Sequence, residues 1–454
     1  MKRVQFQVPH PAAGHPLPLR PPLRSCGPTG PWARHIVRGG AEARYPFVVT
    51  RFPASRRFTE TSRPDGHPLL CRPSITFGET GTRIVKWLFI ALGLTVIVSG
   101  CSTSSCAEKQ TGKPFDIVQT NFLGSLWNES HARASIVSQD GGESFAVPGG
   151  AIWAFGDSFK GSRSADGTPH FAGGAISCAI AFLADNARRY PPAFTYLVSS
   201  NADAVSPFDF FPNERPVEHY RIWPLGGIQV NGQSYLFYSL IEVFGNGPWD
   251  FRGVGSGLGR STIALGRYER LRPRGNWRFP VAPTQVIEAD GWLYLFEIHE
   301  FKGKQGVALA RVRPEKIEDP NAYEFYAGAG PKFSTRKKAA ALLAGNIPGQ
   351  VSVAWNPYLQ KYVMASSSDF DHPREIRFLV ADAPYGPWSP PLARIEVPEY
   401  RQGKRVELVY CAYLHPELFR ENGRVMNLTC SVNLQDAGFD ANCEMVELRL
   451  KRGL

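Results

Sequence analysis

The chain lacks the short patterns that mark many enzyme classes. No GxxxxGK[ST] phosphate loop, HExxH zinc helix or GxSxG nucleophile elbow occurs in its 454 residues. Its cysteines show no CxxC metal spacing, and neither a metal ion nor another cofactor is expected. Gly253–Gly259, GVGSGLG, is glycine-rich but opens no helical period, which argues against a dinucleotide site. A long helical period is missing altogether; Ala339–Leu343 is the main helix-like patch, too short to set the fold class. Without a helix-turn-helix or a basic stripe, no nucleic-acid partner is expected. The formal charge of +11 does not change that. Residues 1–84 hold one Lys, twelve Arg and four acidic residues, a net of +9, so the remainder is nearly neutral.

Residues 1–84 are rich in Pro and Arg and could bury little apolar surface, which predicts either a disordered leader or an over-called translation start. Lys86–Cys101, KWLFIALGLTVIVSGC, has a basic residue, an apolar run of about a dozen residues and then small residues, the layout of a secretory signal. The other reading is a transmembrane helix, but the run falls short of the roughly 20 residues needed to span a bilayer. Val98–Cys101 resembles a bacterial lipobox, in which Cys101 is lipidated and becomes the first residue of an exported lipoprotein of the cell envelope. Val85 then stands where a non-AUG initiator would, giving a signal over 85–101 and a polar tether over 102–113. An exported location permits disulfides, and Cys430 with Cys443, on expected neighbouring strands, is the best pair.

What remains, residues 114–454, is strand-like throughout, with short aromatic and β-branched runs between Gly and Pro. Five hairpins recur, each a polar turn followed by an apolar-aromatic strand. They are PGG-AIWAFGDS (148–158), NGQ-SYLFYSLIE (231–242), DGW-LYLFEIHE (290–300), NPYLQ-KYVMASSSD (356–369) and ENG-RVMNLTCS (421–431). Outer strands are expected at Ser261–Tyr268, Val307–Val312, Ile376–Ala381 and Met445–Leu450. Repeating sheets of this size predict an all-β, five-bladed β-propeller. A two-sheet sandwich is the alternative, but its strands would not fall into groups with this period.

In a hairpin the start of the first strand and the end of the second share one side. Applied to the five repeats, that rule collects residues at one mouth of the central channel. They are Asp140 and Asp157 from the first repeat, then Arg221, Trp223 and Glu242 from the second. Glu297 and His299 follow from the third, Gln350 and Asp369 from the fourth, and Tyr410 from the fifth. Acids, an arginine and aromatics around one funnel suit a polyhydroxylated ligand, and a carboxyl pair can perform glycoside hydrolysis. Structural readings stand beside these. Asp157 after Gly156, and Asp140 before Gly141-Gly142, fit turns; His299 fits packing, Trp223 fits the core, and His415 lies at the opposite end of its strand as a structural residue.

DGGESFAVPGGAIWAFGDSF (140–159), the other hairpins and the late APYGPWS (383–389) resemble five-bladed propeller glycosidases, the superfamily of arabinanases, invertases and levansucrases. The chain is most similar to a domain-of-unknown-function branch related to endo-acting D-arabinanases. The resemblance implies a glycoside hydrolase acting on furanose-containing or other surface polysaccharide, with a first-blade acid as base or nucleophile. Asp140 and Asp157 match the first-blade motif, whereas Glu242 and Glu297 match by position only, as proton donor or pKa-tuning acids. The Trp-x-Asn-Asp-Pro stretch and the Arg-Asp-Pro triplet of the fructan-active members are missing, which disfavours fructans. The branch also contains members without established activity, so the rival is a non-catalytic, carbohydrate-binding or scaffold lipoprotein.

The lipobox reading has a direct test. The mature protein is expected to begin at Cys101 and to partition into detergent with an added lipid mass, and Cys101→Ala to leave the precursor uncut or release it. A soluble mature protein that keeps residues before Cys101 would refute it.

Overall fold

A computed structural model describes residues 114–453 apart from 215–218, 246–249, 302, 329, 348, 368–370 and 436–441. The leader, the signal with Cys101, the tether and Asp369 lie outside the described residues. The described chain forms 24 strands, short 3-10 turns and one five-residue α-helix, α1 (Glu129–Arg133).

The first strand, β1 (Phe115–Ser125), is set aside for the end of the ring. Blade one runs β2 (Ile136–Val147), β3 (Gly150–Arg163), β5 (Ala179–Ala184) and β6 (Thr195–Tyr196), with β4 (Pro169–Ile176) on the far end of β3. Blade two is β7 (Tyr220–Val230), β8 (Gln233–Val243), β9 (Phe251–Ser261) and β10 (Glu269–Arg270). Blade three is β11 (Gln285–Ala289), β12 (Trp292–Phe301), β13 (Lys304–Val312), β14 (Glu324–Tyr326) and β15 (Phe333–Ser334), with β16 (Leu342–Gly345) also on β13. Blade four is β17 (Val351–Asn356), β18 (Lys361–Ser366), β19 (Glu375–Ala381) and β20 (Ala393–Glu396). Blade five is β21 (Tyr400–Arg401), β22 (Lys404–Leu414), β23 (Val425–Leu434) and β24 (Asn442–Arg452), and β1 pairs along β24 as its outer strand. The innermost strands touch in sequence, β2 to β7 to β11 to β17 to β22 and back to β2. The protein is a five-bladed β-propeller.

Five apolar clusters, one between each pair of neighbouring blades, hold the ring together. Along β3, Trp153 and Phe155 join Met445 of blade five, while Ile152 and Ala154 join Leu236 and Tyr238 of blade two. Along β12, Leu293 and Leu295 face Phe237 of blade two, while Tyr294 and Phe296 face Met364 of blade four. Phe378 of blade four meets Met426 and Val446 of blade five in the last cluster. Each second strand is therefore buried on both faces, which is why it reads as an unbroken apolar run rather than an alternation.

All five expected hairpins are present, one per blade. The hairpins of blades one and five join one formal sheet through a single parallel pairing, Gln139 with Asn442, and no continuous ladder links them. Other expectations are corrected. The third strand of blade two is the glycine-rich 251–261 segment, not Ser261–Tyr268. A Cβ at Gly257 would lie 2.2 Å from the Tyr238 ring and one at Gly259 2.3 Å from the Phe208 ring, so packing against aromatics demands the glycines. The helix-like patch is a 3-10 turn at Lys337–Ala339 leading into β16. Cys430 and Cys443 are both free and buried. They lie on adjacent strands one step out of register, so Cys430 enters the cluster shared with blade four and Cys443 the one shared with blade one.

The sequence-distant closure has a measurable consequence. Phe115, fully buried, anchors β1 in the cluster between blades four and five. Phe115→Ala is expected to cost about 3–5 kcal/mol, read as a lower urea midpoint; an unchanged midpoint would show that β1 contributes little to closing the ring.

Candidate active site

The Asp140-Gly141-Gly142 triplet is not a turn. It sits within β2, at a point where the ladder with β3 slips twice. Gln139 faces Ser158, Gly141 faces Phe155, and Glu143 faces Ala154, so one extra residue is accommodated first on β3 and then on β2. Such bulges bend a strand and re-aim its side chains. Gly141 and Gly142 adopt φ of +80° and +97° there, and a Cβ on Gly141 would meet the Gly156 nitrogen at 2.9 Å. The Ser431 hydroxyl of blade five accepts the Gly141 N–H at 2.9 Å and fixes the bulge.

The slip brings the Asp140 carboxyl against the backbone of Gly156 and Asp157. A Cβ at Gly156 would stand 2.3 Å from Asp140 Oδ1, and the Asp157 N–H donates to the Asp140 carboxyl. Both residues are half-buried, and the Asp140 carboxyl thus reaches the stretch of backbone that carries Asp157. Tyr410 OH, from blade five, donates to Asp140 Oδ2 at 2.8 Å. Its strand also bulges just beyond, between Tyr410 and Tyr413, with Cys411 at φ +51°. From blade two, Trp223 Nε1–H donates to Asp157 Oδ1 at 3.0 Å, and Phe251 braces the indole edge-to-face at 5.0 Å.

These surroundings split the pair. Burial, and then the charge of Asp157, push the Asp140 carboxyl up to about 7 against the Tyr410 and Asp157 hydrogen bonds. Burial also raises Asp157, but the Trp223 hydrogen bond and the Arg221 charge hold it down. The two carboxyls titrate as a pair, and burial with mutual repulsion keeps a proton on the pair to a higher pH than a lone aspartate would hold one. The phenol of Tyr410, pushed well above its ordinary range by burial and by the charge of Asp140, stays a donor.

Asp140, Asp157, Arg221, Trp223 and Tyr410 therefore meet, from three blades. The other candidates have partners elsewhere. Glu242 pairs with Arg252 across β8 and β9 at 2.6 Å, and buried Glu297 accepts the Ala282 N–H at 2.8 Å. Glu297 lies one residue beyond the β11–β12 ladder and pairs with Ala308 of β13 in a ladder without a slip. His299 is half-buried on β12 opposite Gly306, and the Gln350 carbonyl accepts the Ser367 N–H at 3.0 Å. Among the described residues no group of three or more His, Cys, Asp or Glu could hold a metal ion.

Below the pair lies a buried polar layer. His415 stacks on Trp153 at 3.8 Å and hydrogen-bonds the Ser144 and Thr429 hydroxyls at 2.8 Å each. Glu143, held well above the usual carboxylate range by burial, accepts the Gly227 N–H of blade two at 3.0 Å. Gly156 and Ser431 were not among the residues read as functional; the GDS turn was the signal that could have marked Gly156. Gly156→Ala is expected to displace the Asp140 carboxyl and drop its pKa from about 7 toward the ordinary aspartate range. Carboxyl-carbon NMR titration of the folded variant reads this, and an unchanged titration would show that the contact does not set the pair.

Among solved structures, a Bacteroides ovatus protein provisionally described as a hydrolase superposes with a TM-score of 0.53 at 16% identity, covering 71% of this chain and 88% of that one. A family 117 glycoside hydrolase from Zobellia galactanivorans follows at a TM-score of 0.40 and 11% identity, over 76% and 92% of the two chains. An α-L-arabinofuranosidase from Podospora anserina, solved with cellotriose, has a TM-score of 0.38 and 12% identity, over 72% and 95%. At these identities the first likeness is one of fold, and the weaker two carry no argument. No curated protein matches the sequence. The model of a domain of unknown function, DUF4185, matches residues 127–435, from just after β1 to just past β23, and the chain belongs to that family.

Proposed function

We propose that this protein is a glycoside hydrolase that cleaves a furanose-containing or other surface polysaccharide with Asp140 and Asp157. One observation carries the reading: two neighbouring carboxyls, both raised by burial, of which Asp140 is raised further by the charge of Asp157 while an indole hydrogen bond and an arginine charge hold Asp157 back. Asp140, protonated up to about pH 7, is the proton carrier toward the glycosidic oxygen. Asp157, raised by burial but held back by the Trp223 hydrogen bond and the Arg221 charge, is the nucleophile or base. Tyr410 fixes the rotamer of Asp140, and Trp223 fixes that of Asp157. Glu242 and Glu297 act at most through the blades they brace. We place the enzyme in the envelope, exported and anchored through a lipid on Cys101.

Purified protein screened against a polysaccharide panel tests the activity. Asp140→Asn and Asp157→Asn should each cut turnover by at least about a hundredfold with the fold intact. Wild-type hydrolysis by both variants would sink the assignment, and binding without cleavage in the wild type would identify a carbohydrate-binding propeller instead. Rate against pH should form a bell whose alkaline limb falls near 7 as Asp140 deprotonates. Stability follows the same group. The folded state holds this proton to a higher pH than the unfolded chain, so its contribution is full below the ordinary aspartate value of about 3.9 and is lost as pH rises through about 7. Asp140→Asn should flatten that loss in melts across pH; an equally steep loss would place the titrating group elsewhere.

A further inference from the structure

The geometry points to a second sugar-binding subsite on the raised end of blade one, formed by the Phe159 and Phe171 rings; this rests on the proposed glycosidase reading. Beyond Asp157, β3 continues to Arg163, with β2 on one side and β4 on the other. These three strands stand as a wall past the carboxyl pair. Asp157 and Phe159, two residues apart on β3, share one face, and the ladders slip just beyond them, between Ile136 and Ser138 on β2 and between Phe159 and Gly161 on the β4 side. Phe171 pairs with Gly161, and its ring stands edge-to-face to that of Phe159 at 6.1 Å, which brings it to the face that carries Asp157 and Phe159.

Two local features bring the rings together. The β4 backbone approaches Gly161 so closely that a Cβ there would stand 2.1 Å from the His170 carbonyl oxygen. Between Ala175 and Phe171, β4 bulges through Gly173 and Gly174, at φ +80° and +81°, which lets the strand make up its extra residues. Phe171 is left 43% exposed although it is a large apolar side chain on the face that carries Asp157. Charges on the wall are engaged: Lys160 pairs with Asp203 at 3.5 Å, and Arg163 donates to the Val137 and Gly167 carbonyls at 3.0 Å each. The wall thus offers an aromatic face with little free charge, which suits the C–H face of a neutral sugar ring and not an anionic group.

At the β rise Phe159 stands roughly 7 Å along the strand from Asp157, and the level of Phe171 roughly 13 Å. The Phe171 end of the subsite is thus farther than one sugar ring from the bond to be cleaved. The occupant is therefore a remote sugar of the same glycan that reaches the aspartates, and short glycans cannot use the subsite.

Arabino-oligosaccharides of graded length, with the full-length protein, provide the probe. For long members, Phe171→Ala should raise KM about five- to tenfold, the size of a lost aromatic contact, at unchanged kcat. The disaccharide should show no change, and Phe171→Trp should restore the long-substrate KM. If Asp157→Asn abolishes cleavage while Phe171→Ala leaves KM unchanged at every length, the subsite is overturned and the hydrolase reading stands. A loss equal for short and long members would also overturn it, as a general disturbance of the mouth. If no member is cleaved, the same series is read by calorimetric titration. Length-dependent weakening in Phe171→Ala then supports the subsite without the activity, and binding that is absent or independent of the residue removes it.

Discussion

The crossing of the Asp140 carboxyl over the backbone of Gly156 and Asp157 is the constraint on which the site depends. A carboxyl can approach a neighbouring strand that closely only where no Cβ intervenes and where the ladder has slipped to make room. The paired glycines after Asp140 and the glycine before Asp157 are thus two halves of one device, facing each other across a hairpin. Backbone geometry, and not a mobile loop, sets the distance between the two acids.

Holding two acids this close is unfavourable in itself, because burial and mutual repulsion both resist ionisation. The rest of the ring supplies the opposing terms. Tyr410 comes from blade five and Trp223 from blade two, so the pair is correctly dressed only while blades five, one and two keep their register. That register is maintained by the apolar clusters on either side of β3 and by the polar layer beneath, where His415, Ser144, Thr429 and Glu143 tie the same three blades. Closure by β1 on β24 protects this arrangement, since an open ring would leave blade five, and Tyr410 with it, held from one side. A strained, partly desolvated site supported by a rigid second layer is what acid–base chemistry needs.

The repeat was legible because its signals are local. Strands buried on both faces give continuous apolar runs, and tight turns need Gly, Asn or Asp, so five hairpins and their spacing could be read from composition along the chain. The position of Asp140 and Asp157 at one end of one hairpin follows from chain reversal alone. Arg221, Trp223 and Tyr410 could be nominated by the same rule, since it needs only strand direction.

Everything that turns on a one-residue slip or on a distant neighbour was decided by tertiary structure. Asp140-Gly141-Gly142 has the composition of a turn, and only its pairing with β3 makes it a bulge. Glu297 obeys the same hairpin rule as Asp157, yet its pairing with β13 does not slip and its carboxylate accepts the Ala282 N–H. The glycines of GVGSGLG take their meaning from the rings of Tyr238 and Phe208, and β1 finds its partner at the far end of the chain. Cys430 and Cys443 sit on adjacent strands but on opposite faces, because side chains alternate with a period of two. Sequence by itself determined the hairpins, their number and the acids at their ends, since these depend on residues close along the chain. Which acids meet was settled by register and inter-blade packing, since a shift of one residue along a strand reverses the face a side chain presents.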